Sequence, residues 1–297
     1  MSPDTITAEA KRVWRRCRPA MGTFVDIAID DTRGALDERD RHEAMTAAFA
    51  AIDRVAALMS FHDANSDLSR LNAAASRSRV RVHPWTYDVL VHARRLFEAS
   101  GGLFDCTVGG DLVERGLLPR HHRIAQASAA SFADVDLLDD DHVVYRRPLC
   151  LDLGGIAKGY AVDRAIDALR SQGVASAVVN AGGDLRVLGS EPVPIHVRDL
   201  DGARLIDAGT LADGAFATSS TPWFTADVTG RSRSASSRQA PGAIVDPRAR
   251  RVVEDRQLVS IIAPTCVLAD GLTKVLAIEG ACDLAWFAAF DAVPLIH

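Results

Sequence analysis

The segment with the most chemistry in it is LDLGGIAKGYAVDRA, residues 151–165. Its apolar start reads as the end of a strand. Two glycines follow, and Lys158 stands where a helix begins. Glycines let a backbone approach a ligand closely, and a helix N-terminus presents free N–H groups at the positive end of its dipole. Lys158 adds a full positive charge at the same place. This combination suits a diphosphate; the plainer reading is a tight turn followed by a surface lysine. Two familiar nucleotide loops are excluded by spacing. A Walker loop needs four residues between its first glycine and its Gly-Lys pair, and a dinucleotide fingerprint needs G-x-G-x-x-G opening a first helix.

Other polar residues have roles that the sequence leaves open. Asp105, in FDCTVG, is a candidate hydrogen-bond acceptor for a ligand. Asp184 follows two glycines and either faces a ligand or fixes the turn by an Asx-type bond. Asp163, in the first turns of its helix, complements the dipole, and Asp246-Pro247 reads as a turn. His62, His83 and His196 are read first as surface or core histidines and second as proton carriers. The five cysteines, at 17, 106, 150, 266 and 282, show no C-x-x-C spacing, so neither a zinc site nor a redox pair is indicated. Their odd number fits a reducing compartment.

The elements that must position these groups follow from periodicity. Residues 1–18 read as a flexible leader without the apolar run of a secretory signal. Residues 21–30 read as a strand. Residues 39–59 place Met45, Phe49, Ile52, Val55 and Met59 at helical spacing. Residues 60–85 read as loop with a short strand at 80–82, and residues 86–99 as a second helix stopped by Gly101-Gly102. A strand ending near Leu151 leads into the glycines and a helix that Gly173 ends. Strands are expected at 175–180, 185–189, 193–198, 203–210 and 257–263, and an exposed loop at 230–242. Helices are expected at 266–279 and 281–290. Strands outnumber helices without alternating strictly with them, which argues for an α+β fold and against a doubly wound parallel sheet. No linker divides the chain, so residues 19–297 are expected to form a single domain.

The bulk numbers agree with a globular enzyme or binding protein. The chain has 297 residues, 48% hydrophobic and 25% charged, with a net charge of -5. No concentrated basic patch points to nucleic acid or a membrane surface; the run Arg-His-His-Arg at 120–123 reads as a solvated loop. No apolar stretch is long enough to span a bilayer, and a cytoplasmic location is the expectation.

Seven short segments, in one order along nearly the whole chain, resemble those of the FAD:protein FMN transferases, the ApbE family. They are Met21-Gly22-Thr23, SDLSRLN at 66–72, GGLFDCTVG at 101–109, LDLGGIAKGYAVD at 151–163, NAGGDL at 180–185, AIVDP at 243–247 and Ala269-Asp270. The resemblance implies an ApbE-like, T-fold-related α+β architecture of mixed, largely antiparallel sheets flanked by helices. It also implies a reaction. A threonine or serine hydroxyl of a target flavoprotein attacks the FMN-side phosphorus of FAD, and AMP leaves. Such transfer depends mainly on positioning and charge stabilisation. By the same resemblance Met21, Gly22, Thr23, Asp105, Gly154, Gly155, Lys158, Asn180 and Asp184 bind FAD, Asp105 through its ribose or adenine. Phe61-His62 lies where the family puts an aromatic against the flavin ring, Lys158 and Asp270 serve catalysis, and Mg2+ takes the Ala157 carbonyl and Asp270.

Two positions depart from the family pattern. A threonine, sometimes a serine, stands in the family four residues after the metal aspartate; here Lys274 stands there, with Thr273 one residue early. Either the ammonium occupies the metal's place, or Lys274 points to solvent and a metal binds weakly. The family's late histidine, taken as the acid/base, is replaced by Ala243, which cannot carry a proton. Two functions therefore stand side by side: an active transferase, and a non-catalytic FAD-binding member. A flavin- or nicotinamide-dependent oxidoreductase lacks its fingerprint here.

Overall fold

The computed structural model describes residues 13–32, 34–120, 130–221, 244–255, 257–280 and 283–297. The expected exposed loop at 230–242, Ala243 and most of the run 120–123 lie outside the described residues.

A seven-stranded sheet runs through the structure. Its strands are β1 (Val13–Ala20), β2 (Thr23–Asp30), β3 (Ala177–Ala181), β4 (Asp184–Leu188), β5 (Gly214–Thr221), β6 (Gln257–Ala263) and β7 (Val293–Ile296). They lie side by side in chain order, and every neighbouring pair is antiparallel. Period-two alternation sends Val25, Ile27 and Ile29 of β2, Val179 of β3 and Val259 and Ile261 of β6 to one face, all fully buried. Three long helices cover that face: α1 (Glu38–Met59), α4 (Ala157–Ser171) and α5 (Cys266–Glu279). Two further helices, α2 (Asp67–Ala73) and α3 (Pro84–Ala99), join the same core. The opposite face carries Leu185, Val187, Phe216 and Leu258 against Ile195, Val197 and Leu211 of a hairpin formed by Val193–Arg198 and Leu205–Leu211. The fold is thus α+β, with antiparallel sheets flanked by helices. Among the described residues no helix is long and apolar enough to cross a membrane.

Four expectations change. Of the leader expected over residues 1–18, residues 13–18 belong to a strand, Val13–Ala20, paired along its whole length with β2. Its cations hid it, because an edge strand exposes most of its side chains and carries charge there; Arg15 is paired with Asp26. The loop expected over 60–85 contains α2, capped by the Ser66 hydroxyl on the Ser69 N–H at 3.0 Å. The strand expected to end near Leu151 ends at Tyr145. The last helix is only Leu284–Ala288.

Two two-residue turns set the end of the sheet. Met21-Gly22 joins β1 to β2 with φ of 51° and 73°, the left-handed pair that matches strand twist. Gly182-Gly183 joins β3 to β4 in the same way, at 68° and 104°. A Cβ on Gly182 would collide with the Thr23 hydroxyl. Glycine there lets the two turns sit against each other.

Candidate functional site

A cavity of about 760 Å³ opens beside these turns, within the range of small-molecule sites. Met21, Gly22, Phe61, Asp105, Gly154, Gly155, Ala157, Lys158 and Lys274 all line it. The structure therefore gathers segments that are scattered over more than 250 residues of sequence. Phe61 is buried in the wall at 7% exposure, whereas His62 is exposed at the rim. Among the described residues His62 is the histidine on the cavity. His83 caps α3 through its ring, accepting the Trp85 N–H at 3.0 Å, and His196 is exposed on the far hairpin.

Three of the expected cofactor residues are absent from the cavity lining. Thr23 packs on Gly182. Asn180 accepts the Gly183 N–H at 2.9 Å, so Asn180, not Asp184, makes the turn's side-chain bond. Asp184 is fully buried and pairs with the Lys158 ammonium, while its second oxygen has no hydrogen-bond partner.

Each lysine of the lining is tied to a fully buried carboxylate outside it, Asp184 or Asp270. Lys158 meets Asp184, and one helix away Lys274 meets Asp270 within a single turn of α5. Burial pulls the Lys158 ammonium below the usual lysine value; Asp270 opposes this and Lys274 reinforces it. Burial pushes Asp270 upward, but Lys274 and then Lys158 outweigh it, and the carboxylate is held below its ordinary range. The Gly159 N–H also donates to Asp270 Oδ2 at 3.0 Å. A Cβ on Gly159 would overlap the Cys266 carbonyl, so the glycine after Lys158 is what lets α4 and α5 approach this closely.

The start of α4 offers fewer free donors than its sequence suggests. The Ile156 and Ala157 N–H groups both return to the Leu153 carbonyl, at 3.0 and 2.8 Å, and Gly159 is taken by Asp270. Asp105 is likewise engaged, accepting Thr107 N–H at 2.8 Å and Phe132 N–H at 3.2 Å, and burial raises its pKa. Asp152, unremarked in the sequence, lines the cavity. Burial raises it too, against the Gly154 N–H and the nearby His62. Asp163 does not serve its own helix: it accepts the Cys266 and Val267 N–H groups at 2.9 and 2.8 Å and so caps α5, whose own Thr265 does not. It also pairs with Arg186 at 2.7 Å.

The donor set fits a divalent cation poorly. Both oxygens of Asp270 are taken, one by Lys274 and one by Gly159. Thr273 is fully buried, bonded to the Asp270 carbonyl and to Ser219, each at 2.7 Å. Among the described residues no group of three His, Cys, Asp or Glu side chains is placed to hold a metal. Mg2+ prefers several oxygen ligands in a near-octahedral set, and Ala157 alone adds only a carbonyl.

Fold and site together define an α+β protein with an apolar small-molecule cavity and fixed charges at its floor. The chain belongs to the ApbE family, whose model matches residues 21–294. It is similar to the FAD:protein FMN transferase of Vibrio cholerae, 27% identical over 280 residues that cover 88% of this chain and 80% of that protein. It is similar to the FAD:protein FMN transferase of Rhodobacter capsulatus at 30% identity over 240 residues, 76% of this chain but 45% of that longer protein. Among solved structures, the ApbE protein of Thermotoga maritima matches with a TM-score of 0.79 and 27% identity, covering 96% of this chain and 94% of that one.

Proposed function

We propose that this chain is an FAD:protein FMN transferase acting on a threonine or serine of a target flavoprotein. The observation that carries the reading is the cavity itself, which joins a buried aromatic, Phe61, to a floor bearing Lys158 and Lys274. An aromatic wall suits an isoalloxazine ring, and two ammonium groups suit a diphosphate. In the reaction the target's hydroxyl oxygen bonds to the FMN-side phosphorus and the bond to the AMP oxygen breaks. AMP leaves, and the hydroxyl proton passes to an acceptor. With Ala243 at the position of the family's histidine, His62, Asp105 and Asp152 are the cavity-lining side chains able to accept it, and Asp105 already accepts two backbone N–H groups. Lys158 and Lys274 offset the charge that gathers on the phosphoryl oxygens. The test is mass spectrometry of a candidate flavoprotein after incubation with FAD and this chain. Gain of one FMN on Thr or Ser, with AMP released, supports the reading; a target that stays unmodified while FAD binds refutes it.

A second reading is favoured by one specific observation. Asp270 is already neutralised by Lys274, and Ala243 removes a proton carrier. A non-catalytic member would retain FAD in the same cavity and transfer nothing. FAD bound tightly, with no AMP released in the presence of a flavoprotein that an active relative modifies, would select it.

A further inference from the structure

Lys274 is seated more completely than a surface lysine. An ammonium has three hydrogens to donate. Lys274 Nζ meets the Asp270 carboxylate, the Asp270 carbonyl at 3.0 Å and the Thr273 hydroxyl at 3.1 Å. Its side chain is 17% exposed and its partner carboxylate is fully buried. The stem runs over Gly155: a Cβ there would stand 3.5 Å from Lys274 Cε. The ammonium is therefore held by oxygen acceptors, in the cavity wall, beside the glycines and within electrostatic reach of Lys158. Three oxygens around one fixed positive charge is the environment a small hard cation would otherwise occupy.

We propose that Lys274 is a tethered cation in place of a divalent metal, and that this cavity takes its dinucleotide in the metal-free form. A divalent ion at Asp270 would stand against two ammonium groups in a poorly solvated site, where like-charge repulsion is little screened. It would also have to break the buried Lys274–Asp270 pair. Lys274 leaves the site with one positive charge at a fixed position, independent of the metal concentration. The metal half of the inference concerns the protein alone; the second half rests on the dinucleotide reading of the cavity.

The experiment has two arms. In the first, Mn2+ is titrated into the ligand-free protein and followed by loss of the free-ion EPR signal. The unaltered chain should show no site that Asp270→Asn removes, and Lys274→Thr should gain one, binding Mn2+ about tenfold or more tighter than the unaltered chain. Mn2+ bound by the unaltered chain and lost in Asp270→Asn overturns the inference. In the second arm, FAD is titrated into the unaltered chain with EDTA and with excess Mg2+. Its dissociation constants should agree within about threefold, because no metal bridges protein and diphosphate. Tightening by Mg2+ of about tenfold or more overturns the inference even if Lys274→Thr fails to fold. Failure of FAD to bind in either condition would remove the proposed function instead, and the Mn2+ arm would still decide the metal question.

Discussion

Asn72 and Leu151 are joined by a reciprocal pair of hydrogen bonds: the Leu151 N–H donates to Asn72 Oδ1 and Asn72 Nδ2 donates to the Leu151 carbonyl, each at 2.8 Å. The amide imitates a strand neighbour for a segment that has none. It ties the end of α2 to the approach to Gly154-Gly155. Asn72→Ala strands two backbone groups beside a fully buried Leu151, at a cost of about 1–3 kcal/mol. Urea denaturation should show a lower midpoint with an unchanged slope. An unchanged midpoint would mean that water replaces the amide at no cost.

Asp163 is the link between α4, α5 and β4. It caps α5 through two N–H bonds and neutralises Arg186, whose side chain is 15% exposed. Asp163→Ala removes the cap and leaves a mostly buried guanidinium unpaired, which costs about 3–5 kcal/mol when such a pair is broken. Asp163→Asn keeps an acceptor for the cap and should cost less. Thermal unfolding of both variants checks the order; equal losses would assign the whole effect to the charge.

How much of this was legible depends on how far the partners lie apart in sequence. Helices α1 and α5 show their apolar stripes over several turns, and periodicity alone gives their bounds to within a residue. Whether Lys274 turns to Asp270 or to solvent stays open in the sequence, but that the two share a helix face was also legible, since they lie four residues apart. The cap made by Asp163 was not, because its partners lie 103 and 104 residues away. Nor was the pairing of Asp184 with Lys158, which depends on where the glycine turn of the sheet meets the start of α4. Short α2 offers too few turns for periodicity, and β1 carries Arg15, Arg16 and Arg18 where a buried strand would alternate apolar residues. The segment 151–165 announced a ligand site through its composition, yet the structure commits the N–H groups of Ile156, Ala157 and Gly159, around the start of α4, to Leu153 and Asp270.

Asp152 gives a pH prediction with a definite sign. Its folded pKa lies above the ordinary 3.8, chiefly from burial. A raised folded value means that the folded chain binds the proton more tightly than the unfolded one. Its contribution is therefore fully favourable below about pH 3.8 and is lost as pH rises through the folded pKa. Asp152→Asn should thus be more stable than the unaltered, ligand-free chain at neutral pH, with the gap closing towards pH 4. Urea midpoints measured between pH 4 and 8 decide it; a gap that widens on acidification contradicts the sign.

Lys158 and Asp184 form a pair whose single and double replacement should not add. Lys158→Ala leaves Asp184 buried with neither oxygen partnered, a loss of about 3–5 kcal/mol in stability. Adding Asp184→Asn removes the stranded charge and should recover much of that stability. FAD affinity should not recover with it, because one charge-assisted contact is worth about 1.5–3 kcal/mol, very roughly ten- to a hundred-fold. Denaturation and isothermal titration on the unaltered chain and these two variants separate the two effects. Recovery of FAD binding in the double variant would place Lys158 among the purely structural residues.

The last prediction concerns turnover. A threonine hydroxyl must lose its proton as it attacks phosphorus, and a positioned base contributes about a hundred- to ten-thousand-fold. The position that resemblance assigns to this task holds Ala243, outside the described residues, while His62 is exposed at the cavity rim and Asp152 is half-buried and held by the Gly154 N–H. Neither shows the contact that would fix it against an incoming hydroxyl. Lys158 and Lys274 still offset phosphate charge, so the reaction should be slow and not abolished, because phosphoryl transfer asks little of covalent catalysis. Ala243→His should accelerate FMN incorporation into an accepted target, read by in-gel flavin fluorescence and confirmed by mass. His62→Ala then divides the outcomes. If the unaltered chain transfers FMN rapidly and His62→Ala stops it without weakening FAD binding, the proton carrier has moved to the rim. If Ala243→His gains nothing while FAD stays bound, retention of the dinucleotide is the function this cavity has kept.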